Sequence, residues 1–336
     1  MKNYMKTKKI LYLTVALMLL GIVLPLASKA VTVSPPILEI DAAKGQVITQ
    51  SIKVRNEGPD AVTYYLTAQK FIAAGEGGAP QFVAGTAEDV DLASWIKFNY
   101  ENITIPGGQA VEIPFSIVVP DYAGPGGHYA AIFLSTVPPE AKAAGSQVAI
   151  ASRIGTLVLV KIAGEVKENA ELSEFSTTAK SYLSLPVDFN IRVKNTGNVY
   201  LKPAGTIVIK NILGSVAGKV AVNEIGGNVL QDSIRKYDAS WVKNPNAIGA
   251  TTFWGKYRQE KENYAFGKYT ADLSLAYGTA GKVLSASTGF WVIPWHVIIV
   301  NLLVLIILVV IIYFLVKKYN AWLLKKYARG EKKAKK

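Results

Sequence analysis

Apolar and polar residues alternate with a period of two along most of the chain. Ile48, Ile52 and Val54 share one face of a segment whose other face carries Thr49, Ser51, Lys53 and Arg55. Val62, Tyr64, Leu66 and Ala68 alternate with Thr63, Tyr65, Thr67 and Gln69, and Val111, Ile113, Phe115, Ile117 and Val119 share a face. Further on, Val187, Phe189, Ile191 and Val193 alternate with Asp188, Asn190, Arg192 and Lys194. Tyr269 to Tyr277 repeats the pattern. Each segment reads as a strand with one face in a core and the other in water. Turn signals divide them at Asn56-Glu57-Gly58-Pro59, Pro106-Gly107-Gly108, Asn195-Thr196-Gly197-Asn198 and Gly226-Gly227-Asn228. Many short strands at this spacing predict an all-β chain of two immunoglobulin-like β-sandwich domains.

The pattern repeats internally. Ile52-Lys53-Val54-Arg55-Asn56-Glu57-Gly58 matches Ile191-Arg192-Val193-Lys194-Asn195-Thr196-Gly197 in type at nearly every position. Both read as a strand ending in an Asn-x-Gly turn, where glycine would supply a positive φ. Domain one is placed at 31–168 and domain two at 169–292, with Lys167 to Glu171 as a polar joint. Leu157 to Ile162 reads as the last strand of domain one and Ser285 to Val292 as the last of domain two. Pro138 to Gln147 reads as a loop, and Ala87 to Ile96 as a short helix.

The period changes at the C-terminus. Val297 to Val316 is 20 residues with only Asn301 strongly polar, enough for a helix to cross a hydrocarbon core of about 30 Å. Trp291 and Trp295 fall where an interfacial aromatic belt belongs, and Lys317 and Lys318 follow at once. By the positive-inside rule a transmembrane helix at 295–316 leads to a basic cytoplasmic tail at 317–336. At the other end Lys2, Lys6, Lys8 and Lys9 precede an apolar run from Ile10 to Leu26 and Ser28-Lys29-Ala30. Residues 1–30 therefore read as a signal peptide. The expected location is the plasma membrane, crossed once, with the ectodomain outside.

These ends explain the net charge of +13. Residues 1–30 hold five Lys, and residues 317–336 hold nine Lys or Arg and one acid; the rest carries 23 basic and 23 acidic residues. The exported part is neutral, which argues against a nucleic-acid partner. There is no cysteine, so no disulfide, lipobox anchor or thiolate metal site. The two histidines, His128 and His296, lie at a strand start and at the membrane interface. No nucleophile elbow, zinc-helix motif or phosphate loop is present, so no enzyme activity, cofactor or metal is expected. The acids Glu88, Asp89 and Asp91 lack the spacing of a calcium loop. The candidates for a ligand or partner surface are aromatic: Tyr65 in domain one, and Trp241, Trp254, Tyr257, Arg258 and Tyr264 in domain two. Trp254 to Tyr264 reads as a long exposed connection.

Val33-Ser34-Pro35-Pro36-Ile37-Leu38-Glu39-Ile40, Ile105-Pro106-Gly107-Gly108 and Gly126-Gly127-His128-Tyr129-Ala130-Ala131-Ile132 together resemble the N-terminal module of the WxL-interacting surface proteins of Gram-positive bacteria. The resemblance runs over roughly Val31 to Gly164 and extends to the overall plan. It implies a peptidoglycan-binding first domain and a second domain that contacts a secreted surface protein. The expected function is thus a membrane-anchored, non-enzymatic binding or scaffold module for cell-wall glycan or another surface protein. The alternative is a pilus-chaperone-like assembly factor acting by β-strand augmentation.

Overall fold

The computed structural model describes residues 31–83, 91–138 and 153–334. The proposed signal peptide and the Pro139 to Gln147 part of the expected loop lie outside these residues, as does the start of the expected helix at Ala87. The chain divides into two compact units, Met1–Ile72 with Pro80–Val166, and Ala73–Ala79 with Lys167–Lys336.

In the first unit the chain enters as β1 (Val31–Ser34), antiparallel to β3 (Val47–Asn56), and then crosses to the other sheet as β2 (Ile37–Ala42). β3 pairs with β8 (Ala110–Val118), which pairs with β6 (Ile96–Phe98). The facing sheet runs β2, β10 (Arg153–Ile162), β9 (Gly126–Ser135), β4 (Val62–Ala74) and β5 (Ala79–Phe82), with β7 (Asn102–Ile105) also on β4. β2 lies parallel to β10, while β10 with β9, β9 with β4 and β4 with β7 are antiparallel. The period-two faces meet as expected: Ile52, Val54, Tyr64, Leu66, Ile113, Phe115 and Ile117 fill one core with Ile132, Leu134, Val158 and Val160. The helix α1 is a single turn, Leu92–Trp95, whose N-cap Asp91 accepts a hydrogen bond from the Ala93 N–H at 3.0 Å.

The second unit repeats this plan. β11 (Ala170–Thr177) pairs antiparallel with β13 (Val187–Asn195), and β12 (Ser181–Tyr182) then lies parallel to the last strand, β18 (Lys282–Val292). β13 pairs with β16 (Ile234–Trp241). Across the core, β18 pairs with β17 (Gly267–Tyr277), β17 with β14 (Ala204–Asn211), and β14 with β15 (Val216–Val222). Val187, Phe189, Ile191, Ile207, Leu273 and Phe290 are buried between the sheets.

The echoed Asn-x-Gly segments end equivalent strands, but not for the expected reason. Neither Gly58 nor Gly197 has a positive φ. The buried asparagine does the work. Asn195 Nδ2 donates to the Val199 and Val229 carbonyls at 2.6 and 3.0 Å, and its Oδ1 accepts from the Gly197 N–H at 2.8 Å. Asn56 Nδ2 donates to the Asp60 and Ile105 carbonyls at 2.7 and 3.0 Å, and its Oδ1 accepts from the Gly58 N–H at 3.0 Å. Each side chain ties the end of its strand to main-chain groups of the neighbouring segments. At Gly197 the requirement is for space, because a Cβ would lie 2.0 Å from the Lys167 carbonyl oxygen.

After β18 only Ile293 and Pro294 precede α3, which runs from Trp295 to Ala334. Within it Trp295–Leu324 is long and apolar enough to cross a membrane, and its most apolar 18 residues have a mean hydropathy of 3.4. The helix continues past the span expected at 295–316. The residues that follow include Ala321, Leu323 and Leu324, good helix formers, and no proline interrupts them.

Candidate functional site

The segment expected to be a long exposed connection is a helix, α2 (Phe253–Glu262). Its N-cap Thr252 accepts from the Gly255 N–H through Oγ1 at 3.1 Å, and the Asn263 N–H closes the last turn onto the Gln259 carbonyl at 2.9 Å. Arg258 pairs with Glu262 one turn on, at 2.7 Å. The buried Asn263 fixes the preceding loop: its Oδ1 accepts from the Lys243 and Asn244 N–H groups at 3.1 and 2.8 Å. Its Nδ2 donates to the Asn244 and Ala247 carbonyls at 3.2 and 3.0 Å.

Of the residues expected to form a partner surface in domain two, four gather on or beside this helix. Trp254 is 67 % exposed, Arg258 and Tyr264 are exposed, and Tyr257 is half-buried with its ring 6.0 Å from that of Trp254. Trp241 does not join them. It is 3 % exposed at the end of β16, with its ring 5.1 Å from that of Tyr269 and 6.0 Å from that of Phe290, so it is a core residue and presents nothing to a partner. Tyr65 stands apart on β4, half-buried and opposite Asn102 and Ser135.

The least expected contact joins α2 to the start of α3. Glu260 is 2 % exposed and is the one charged residue among the buried polar side chains described. One carboxylate oxygen lies 2.6 Å from His296 Nδ1, and the other accepts from the Val297 N–H at 2.9 Å. A carboxylate here also faces the positive end of the α3 dipole, which favours it. The Phe253 ring lies 5.1 Å from the His296 ring. Trp291 and Trp295, expected to anchor the chain in a membrane, are exposed at this same junction, and Lys317 and Lys318, expected to follow the span, are exposed on α3. No pattern in the sequence links Glu260 to His296, 36 residues away. The pair comes together only through the fold.

His128 hydrogen-bonds the Gly124 carbonyl through Nε2 at 2.9 Å, and its ring lies 4.7 Å from that of Trp95. Asp91, the described member of the acidic cluster, is a helix cap. Among the described residues no group of three or more acids and histidines could hold a metal ion.

No protein-family model matches the chain, and no curated protein is similar to it. Among solved structures the chain is similar to the class 5 fimbriae chaperone CfaA, at 13 % identity and a TM-score of 0.37 over 78 % of this chain and 99 % of that one. It is also similar to the E. coli chaperone DraB, at 10 % identity and a TM-score of 0.34 over 78 % of this chain and 96 % of that one. Likeness at this level assigns no function. The strand pairing itself fixes the class: the chain is an all-β protein of two immunoglobulin-like β-sandwiches followed by one long apolar helix.

Proposed function

We propose that the protein is a single-pass membrane protein of a bacterial cell surface, and that its two sandwiches form a non-enzymatic binding or scaffold module. Its ligand is cell-wall glycan or another surface protein, as in the WxL-interacting family. The observation that carries the reading is the junction at Val292–Trp295, where a folded sandwich passes directly into an exposed apolar helix. Water-exposed side chains along Leu302 to Val316 have no place in a soluble protein, but a bilayer would cover them. Trp291 and Trp295 at one end and Lys317 and Lys318 at the other orient the helix with the sandwiches outside. The neutral ectodomain and the absence of cysteine fit a binding role at the cell surface.

Protease treatment of intact spheroplasts tests the topology. The sandwiches should be digested and a C-terminal tag protected; a protected ectodomain would overturn the orientation. Retention of the detergent-solubilised full chain on purified wall glycan tests the ligand. Retention no greater than that of an unrelated sandwich protein would remove the glycan version.

Strand augmentation is the second reading. It draws on β2, a six-residue edge strand that covers only Leu157 to Ile162 of β10. Against it, β2 carries Glu39 and Asp41, and Asp41 pairs with Lys161 at 3.0 Å. Charges of this kind guard an edge against added strands.

A further inference from the structure

We propose that α2 is a second membrane contact, a helix that lies in the headgroup layer of the bilayer that α3 crosses and sets Phe253 and Trp254 into it. The inference rests on the reading of α3 as a membrane span. It begins with depth. Val297 to Val316 is 20 residues, about 30 Å of helix and so about one hydrocarbon thickness. Trp295 and His296 then stand at the lipid–water boundary. Whatever packs on His296 stands at the same level, and what packs there is α2.

Orientation follows from the contacts. Phe253 and Glu260 are seven residues apart, about 10 Å along the axis of α2, and both touch His296. A helix running alongside α3 would spread such contacts over several turns of α3. Two contacts on one residue mean that α2 crosses α3 instead. With α3 spanning the bilayer, α2 lies close to the membrane plane.

The side chains suit that layer. Trp254 is 67 % exposed and Phe253 is 44 % exposed, their rings 5.4 Å apart at the start of the helix. Indole and phenyl rings partition into the interface, and lysines beside them reach phosphate groups. Lys256 and Lys261 are exposed on α2, while its two acids are engaged, Glu260 in the core and Glu262 with Arg258. The face left to the surroundings is aromatic and basic. An outer leaflet containing anionic lipid is the partner that matches it.

The chain has no cysteine, so a single introduced one can be labelled uniquely. Three full-length variants, Trp254→Cys, Val283→Cys and Leu305→Cys, would carry an environment-sensitive fluorophore in vesicles of phosphatidylcholine with phosphatidylglycerol. Nitroxide lipids quenching at shallow or deep positions then report depth. Val283 lies nine residues up β18 from Val292, about 30 Å away, and serves as the dry-land control. The label at 254 should shift to the blue and lose emission to the shallow quencher, while that at 283 does neither. A label at 305 quenched by the deep nitroxide with an unquenched label at 254 would overturn the interfacial helix and leave the span intact. An unquenched label at 305 would overturn the span and this inference with it.

Discussion

Replacing Asn195 with alanine should unfold the second sandwich selectively. The side chain is fully buried and makes three hydrogen bonds, to Val199, Val229 and Gly197. At about 1 kcal/mol net for each bond, their loss alone costs about 3 kcal/mol. The Val229 carbonyl keeps the Leu201 N–H at 2.9 Å, but the Val199 carbonyl and the Gly197 N–H lose this partner. Val199 is a buried residue, so water has little access to its carbonyl, and the stranded groups raise the cost to about 3–5 kcal/mol. Asn56→Ala removes the same three bonds in the first sandwich, but one acceptor there belongs to the exposed Asp60, where water can substitute. Its cost should be smaller, about 2–3 kcal/mol. Hydrogen exchange read by mass spectrometry on the detergent-solubilised full chain, across a urea series, separates the two units through peptides from β13 and β3. Loss of protection in β13 with β3 unchanged is the expected result for Asn195→Ala. A cost below about 1 kcal/mol would refute the idea that this side chain bolts the sheets together.

Glu260→Ala should strip His296 and the Val297 N–H of their partner and loosen α2 from α3. A cost of about 3–5 kcal/mol, read as a lower Tm in detergent, is expected for a buried charged group, and an unchanged Tm would count against the contact. Tyr237 has its phenol pushed up to about 12 by burial, while its hydroxyl donates to the Gly227 carbonyl at 3.0 Å. A raised value means that its contribution is complete below the unfolded pKa near 10 and fades as pH rises through the folded one. Stability should therefore fall between about pH 10 and 12, and Tyr237→Phe should flatten that limb of a pH–denaturation curve. Asp272 is held below the usual carboxylate range by hydrogen bonds from Lys210 at 2.9 Å and Ser287 at 2.8 Å. Its contribution is present above the unfolded pKa and is lost as pH falls through the lowered one. Carboxyl chemical shifts followed by NMR through the acid range should show Asp272 titrating late, and Lys210→Met should bring it back toward normal.

The strands were legible because period two survives in any sandwich with one wet face. Ile191 or Phe115 needs no partner information to declare its side. Trp241 was also readable, since Tyr237, Ala239 and Trp241 alternate with Asp238 and Ser240 and so share a buried face. Its nearness in sequence to the later aromatics Trp254, Tyr257 and Tyr264 grouped it with the surface candidates. α2 escaped because its inward face carries Gln259 and Glu260 rather than an apolar stripe, and hydropathy does not register a helix held by polar contacts. Its start signal, Thr252 as N-cap, was present. The Asn-x-Gly echo was real, yet the turn chemistry usually ascribed to it was not. The bonds that explain it reach Ile105 and Val229, 49 and 34 residues away, which no local pattern contains.

The junction also has a mechanical meaning. The Trp291 N–H bonds the Lys180 carbonyl at 2.9 Å, the Ile293 N–H bonds the Tyr182 carbonyl at 2.8 Å, and the Ile298 N–H bonds the Pro294 carbonyl at 3.0 Å. With Glu260 gripping Val297, the two residues between strand and helix have no slack to act as a hinge. A helix seated in a bilayer adjusts to its thickness by tilting. On the proposed span, the last strand must tilt with it. β18 is 11 residues, about 36 Å, so a 10° change in the helix would swing its far end by about 6 Å. The second sandwich would then work as a stiff lever that converts the thickness of the lipid beneath it into a displacement above it.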